Sequence, residues 1–142
     1  MADLKSLIKL RKHVVDEKRR FVAQLYRDAE RLEQQKQVVL NQMRSEEEMA
    51  KKMATAEAAA YLGRYLEGAR KKIRALDVSL KKMEARIMAA QDDMRTAFAD
   101  LKKVEITQRN RERRAAATLK KKEEKELDEI GIELHRRGKE EV

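Results

Sequence analysis

Thirteen apolar side chains in unbroken register constrain this chain more than any other feature of it. Alternating steps of four and three from Leu62 pass through Leu66, Ala69, Ile73, Leu76, Leu80, Met83, Ile87, Ala90, Met94, Ala97, Leu101 and Val104. With 42% of the residues apolar, chance gives such a run in one fixed register roughly once in 10⁵. Residues at this spacing line one stripe of an α-helix, and a stripe so long is buried only against another helix.

The first third of the chain carries a second seam with the same spacing and more interruptions. Leu4, Ile8, Val15, Val22, Leu25, Ala29, Leu32, Val39, Met43, Ala50 and Met53 are apolar, and Arg11, Lys18, Lys36 and Glu46 break the series. Leu7, Val14 and Phe21 widen the stripe beside it. Polar residues in a coiled-coil seam lower stability and help to fix register and pairing.

Composition agrees with long helices. The 142 residues are 43% charged and 4% aromatic, with no Pro and four Gly, which leaves too little bulky apolar material for an ordinary globular core. The absence of Cys excludes a disulfide framework and a thiolate metal site. No apolar run approaches the roughly 20 residues that span a bilayer, and the amino terminus has no signal-peptide h-region. The expectation is a soluble cytoplasmic chain without membrane insertion.

Two seams of similar length give either a hairpin or one long helix that dimerises. The stretch "MATAEAAAYLGRYLEG" between them holds Thr55, a candidate N-cap, with Gly63 and Gly68, each costing roughly 1 kcal/mol inside a helix. The reading is therefore all-α, an antiparallel two-helix coiled-coil hairpin forming one domain. Helix 1 is expected over about 3–54, the turn over about 54–60, and helix 2 over about 60–137.

A turn centred near residue 57 sets residue i opposite roughly 114 − i, since both helices rise equally. The seam meets Gln108 and Arg111 where the first helix runs out, so an overhang is expected from about residue 109. Residues 1–20 carry seven Lys/Arg against three Asp/Glu, and residues 102–122 carry nine against two. In a hairpin both lie at one end, which makes that end strongly basic. Beyond it the sign reverses at Glu123, Glu124, Glu126, Asp128 and Glu129, beside an apolar stripe of Leu127, Ile130 and Leu134.

Nothing in the sequence supplies a catalytic site or a cofactor or metal site. His13 and His135 are read as lone helical histidines, structural or solvated rather than ligands, and "SEEE", Ser45 to Glu48, fits a capping box. There is no phosphate-binding glycine loop or nucleophile elbow, and a two-helix fold offers no deep pocket. "QRNRERRAAA" suggests the basic region of a leucine zipper, but there the basic helix precedes the zipper, and here it follows the seam. Aromatic interleaving for base stacking is also missing, so specific nucleic-acid binding is not expected.

Four stretches together carry a resemblance: "LKSLIKLRKHVVDEKRR", "YLGRYLEGARKKI", "LKKVEITQRNRERRAA" and "LDEIGIELHRR". Over essentially the whole chain they resemble the alphaproteobacterial branch of the FliJ family, the small stalk proteins of the flagellar type III export apparatus. Injectisome stalk proteins of the YscO type share the architecture and stay open as an alternative, as do a generic coiled-coil scaffold and a basic nucleic-acid-binding protein.

The resemblance implies a hairpin similar to the rotary ATPase gamma-subunit shaft, with the longer second helix projecting. It implies a cytoplasmic protein at the flagellar base, peripheral to the inner membrane and without enzymatic activity. Its expected partners are the hexameric export ATPase, the cytoplasmic part of the export gate and export chaperones, and the isolated chain is expected to be a monomer. The basic residues Lys9, Arg11, Lys12, Arg109, Arg111, Arg113 and Arg114 are candidates for ring contacts, because a basic end is steered toward an acidic pore. Tyr61 and Tyr65, beside the seam near the turn, are candidates for gate contacts.

Overall fold

The computed structural model describes residues 3–140 and contains two helices, α1 (Lys5–Met53) and α2 (Ala56–Glu140). Among the described residues there is no strand. The helices pack against each other as an all-α hairpin, and the packing falls into two units: His13–Ala97, and Met1–Lys12 with Phe98–Val142.

In the first unit the chain reverses through only two residues, Ala54 and Thr55. Ala54 takes the left-handed conformation, φ 49°, that ends many helices. Thr55 is the N-cap of α2, its Oγ1 accepting the Ala58 N–H at 3.1 Å. Helix therefore begins at Ala56 rather than near 60, because Ala56 and Ala58–Ala60 are strong helix formers that need no loop. Ser45 and Glu48 do not form a capping box: both lie inside α1, eight and five residues before its end, where backbone amides already have i−4 partners.

The core of this unit is one layer of seam residues. Val22, Leu25, Ile87 and Ala90 are buried together, with Ala29, Met83 and Met94 packed against them. Residue i faces roughly 112 − i, about two residues from the register expected for a wider turn. That register sets the small side chains Ala69, Ala90 and Ala97 opposite Met43, Val22 and Val15. All thirteen positions of the α2 seam are buried or half-buried.

Two of the seam interruptions are matched across this unit. Lys18 Nζ lies 2.6 Å from Asp93 Oδ2, and Lys36 Nζ lies 2.8 Å from Asp77 Oδ1. Each lysine stem covers apolar neighbours while its head reaches a carboxylate beside the facing seam. The hydrogen bond and the charge of Asp77 raise the Lys36 pKa; desolvation opposes them more weakly, and the charge of Glu33 adds the smallest upward contribution.

The second unit holds the start of α1 against α2 from Phe98 onward. Asp3 Oδ1 accepts the Lys5 N–H at 3.2 Å, while Gln108 accepts the Leu4 N–H through Oε1 at 3.3 Å. Both bonds satisfy donors that the first turn of a helix leaves without partners. Leu101 is buried and Val104 half-buried here. After Gln108 no residue up to Glu140 is even half-buried.

Candidate functional site

Six of the seven candidate ring-contact residues lie exposed in the second unit. Lys9 and Lys12 are exposed on α1, and Arg109, Arg111, Arg113 and Arg114 are exposed on α2. Arg11 differs: it occupies a seam position, is half-buried, and its Nε is sealed from solvent without a hydrogen-bond partner. Its stem packs in the seam as Lys18 and Lys36 do, so it is placed to hold helices together rather than to meet a surface.

Continuous helix is what spaces the α2 cations. With 100° between successive residues, Arg109, Arg113 and Lys120 fall along one side, and Arg111, Arg114 and Lys122 along the other. Residues 109–122 hold seven Lys/Arg and one Glu on a helix with no burial, so the positive potential surrounds the helix.

Apolar residues off the seam's register accompany this basic region. Leu10 and Ile106 are each more than half exposed, and Lys102 Nζ sits 5.2 Å from the centre of the Phe98 ring, a cation–π distance. Their signal in the sequence was an apolar residue falling outside the four-three series, which a count of the seam alone passes over.

The two tyrosines lie in the first unit, on the first turns of α2. Tyr61 and Tyr65 stack with ring centres 6.3 Å apart and planes 25° apart, a contact set by their i,i+4 spacing. Tyr61 is exposed and lines a cavity of about 460 Å³ with Met49, Met53, Glu46 and Glu57. Tyr65 is half-buried and lines a second hollow with Val39, Gln42 and Gly68. Of the two methionines in that first cavity, Met53 belongs to the α1 seam and Met49 stands beside it, more than half exposed.

The remaining chemistry is sparse. Among the described residues no group of three His, Cys, Asp or Glu could hold a metal ion. His13 is not the lone histidine expected, because Glu17 lies one turn on along the same helix face and its Oε1 is 3.0 Å from His13 Nε2 on an exposed surface; His135 is exposed. Among the described residues no helix is long and apolar enough to cross a membrane.

No curated protein and no solved structure matches the chain. The family model described as the flagellar FliJ protein matches residues 1–140. With the two-helix hairpin this match covers nearly all of the sequence, and the chain belongs to the FliJ family of flagellar export components.

Proposed function

We propose that the protein is the central stalk of the flagellar type III export apparatus, binding the hexameric export ATPase ring and coupling it to the membrane export gate. One observation carries the reading: α2 continues as helix for 32 residues past Gln108 with every residue exposed, and its first 14 are densely basic. A helix without an apolar neighbour gains little from tertiary packing, so its order suits a segment held by another protein. The basic charge would speed and orient its entry into a ring of opposite potential.

In this reading Lys9, Lys12, Arg109, Arg111, Arg113 and Arg114 meet the ring, and Arg11 supports them from within the seam. Tyr61 and Tyr65, with the neighbouring hollows, face the cytoplasmic part of the gate. The protein carries no chemistry itself and works at the flagellar base by assembling and coupling its partners, export chaperones among them.

The test is charge reversal at four positions together, Arg109→Glu, Arg111→Glu, Arg113→Glu and Arg114→Glu. Binding to the export ATPase and stimulation of its turnover, measured at physiological salt, should fall at least tenfold, while the hairpin's thermal midpoint stays unchanged. Unchanged binding and stimulation would remove the stalk assignment.

A further inference from the structure

Past Gln108 the hairpin seam has no continuation. Its next positions, Arg111, Ala115, Thr118, Lys122 and Lys125, hold no large apolar residue. A different stripe takes over: Ala116, Leu119, Leu127, Ile130 and Leu134 fall within about 80° of one another on α2. All five are exposed, Leu119 at 57% and Leu127 at 67%. No described residue of the second unit covers this face, and an apolar stripe on an otherwise highly charged helix marks an interaction surface.

The charges on this segment name the partner. Residues 113–122 carry five Lys/Arg and no acid, while residues 124–133 carry five Asp/Glu and one Lys. The reversal is centred on Glu123, and so are four of the five stripe residues, with Leu119 and Leu127 four residues to either side and Ala116 and Ile130 seven; Leu134, whose counterpart at −11 is Glu112, lies outside this symmetry. A pattern symmetric in shape and antisymmetric in charge about one residue is self-complementary when a helix meets a copy of itself running the opposite way.

We propose that this segment is a homodimerisation surface: two copies pair their exposed α2 helices antiparallel about a dyad at Glu123. Leu119 of each copy packs on Leu127 of the other, and Ala116 on Ile130. The basic half of each helix lies along the acidic half of its mate. Helical geometry sets Lys120 beside the other copy's Glu124 and Lys122 beside its Glu126, at the flanks of the apolar contact.

Parallel pairing is disfavoured because it stacks like charge on like. Within one helix the same residues stand four apart in the weaker Lys-before-Glu order, so they gain more from a mate than from each other. Glu123 meets its own copy at the dyad, which keeps the association weak and reversible. Pairing also covers residues 109–122, so a dimer and a ring-bound monomer exclude each other. The dimer itself does not depend on the proposed stalk role.

The cysteine-free chain makes the test direct. Glu123→Cys should cross-link to a second copy on oxidation with diamide. Asn110→Cys should not, because antiparallel pairing holds the two copies of that position about 39 Å apart. Light scattering over a concentration series should show the wild type moving from monomer to dimer mass, less so as salt rises.

The charge arm uses two variants, Lys120→Glu with Lys122→Glu, and Glu124→Lys with Glu126→Lys. Each alone should stay at monomer mass, and an equimolar mixture should regain the dimer. The proposal is overturned by wild type that remains monomeric at every concentration, by Asn110→Cys cross-linking as readily as Glu123→Cys, or by charge variants that dimerise as the wild type does.

Discussion

Gln108 bonds to the backbone of Leu4, its Oε1 accepting the Leu4 N–H at 3.3 Å, although the two stand 104 positions apart in the chain. Its Nε2 faces Asp3 Oδ1 at 3.4 Å and Glu112 Oε1 at 3.1 Å. The residue that ends the apolar seam of α2 therefore closes the first turn of α1. Gln108→Leu should extend the seam by one apolar residue and still lose stability, by about 1 kcal/mol, the usual worth of a partly exposed cap. Urea denaturation followed by circular dichroism measures this, and amide exchange at Leu4 should quicken.

The reversal at Ala54 and Thr55 gives two opposite expectations. Thr55→Ala removes the N-cap of α2 and should cost about 1 kcal/mol. Ala54→Gly relieves a side chain held at φ 49° and should gain roughly 0.5–1 kcal/mol. Thermal melts of the two single variants, displaced to opposite sides of the wild type, check both.

Gly63 and Gly68 sit inside α2 with no left-handed φ, and an added Cβ would meet nothing within 4 Å at either. Gly63→Ala and Gly68→Ala should each stabilise the hairpin by about 1 kcal/mol through helix propensity. A loss of stability on denaturant titration would mean that these glycines serve a close approach absent from this fold.

Burial separates two aliphatic residues of similar size. Leu25 is 2% exposed at the centre of the seam, whereas Ile132 is 71% exposed. Leu25→Ala should cost about 2–3 kcal/mol, the low end for a buried leucine, because a single layer can collapse around the gap. Ile132→Ala should change stability by less than about 0.5 kcal/mol. Parallel chemical denaturation of the pair tests the contrast.

Lys36 and Asp77 define a pH expectation. Their hydrogen bond raises the folded-state lysine pKa above its ordinary value of 10.5. The pair's contribution is therefore fully present below that value and is lost as pH rises through the raised one. Across pH 6–9, Lys36→Leu should melt at or slightly above the wild type, since a seam ion pair replaced by a packed aliphatic is often neutral or stabilising. Its cost should appear as lost uniqueness of pairing, seen as extra species in size-exclusion chromatography. A melting difference between variant and wild type that shifts within pH 6–9 would contradict the linkage.

Much of this fold is legible in the residues. The four-three series gives both helices, their antiparallel packing and the point where burial stops. Less legible is how residues beside the series are used. Asp77 and Asp93 flank the α2 seam, and only the register of the hairpin shows that they face Lys36 and Lys18. The turn is narrower than the 54–60 expected, because the midpoint of two seams locates a reversal without giving its width, and the alanines after Thr55 continue as helix. Arg11 is legible both as a seam interruption and as a ring-contact cation, and only what α2 brings against it shows that the seam position prevails.

The exposure of every residue from Arg109 to Glu140 has a consequence for how this protein can vary. Substitutions there leave the hairpin's folding equilibrium almost untouched and register only when a partner binds. The second unit thus carries a stretch of sequence that can be rewritten for a new partner while the chain goes on folding as before.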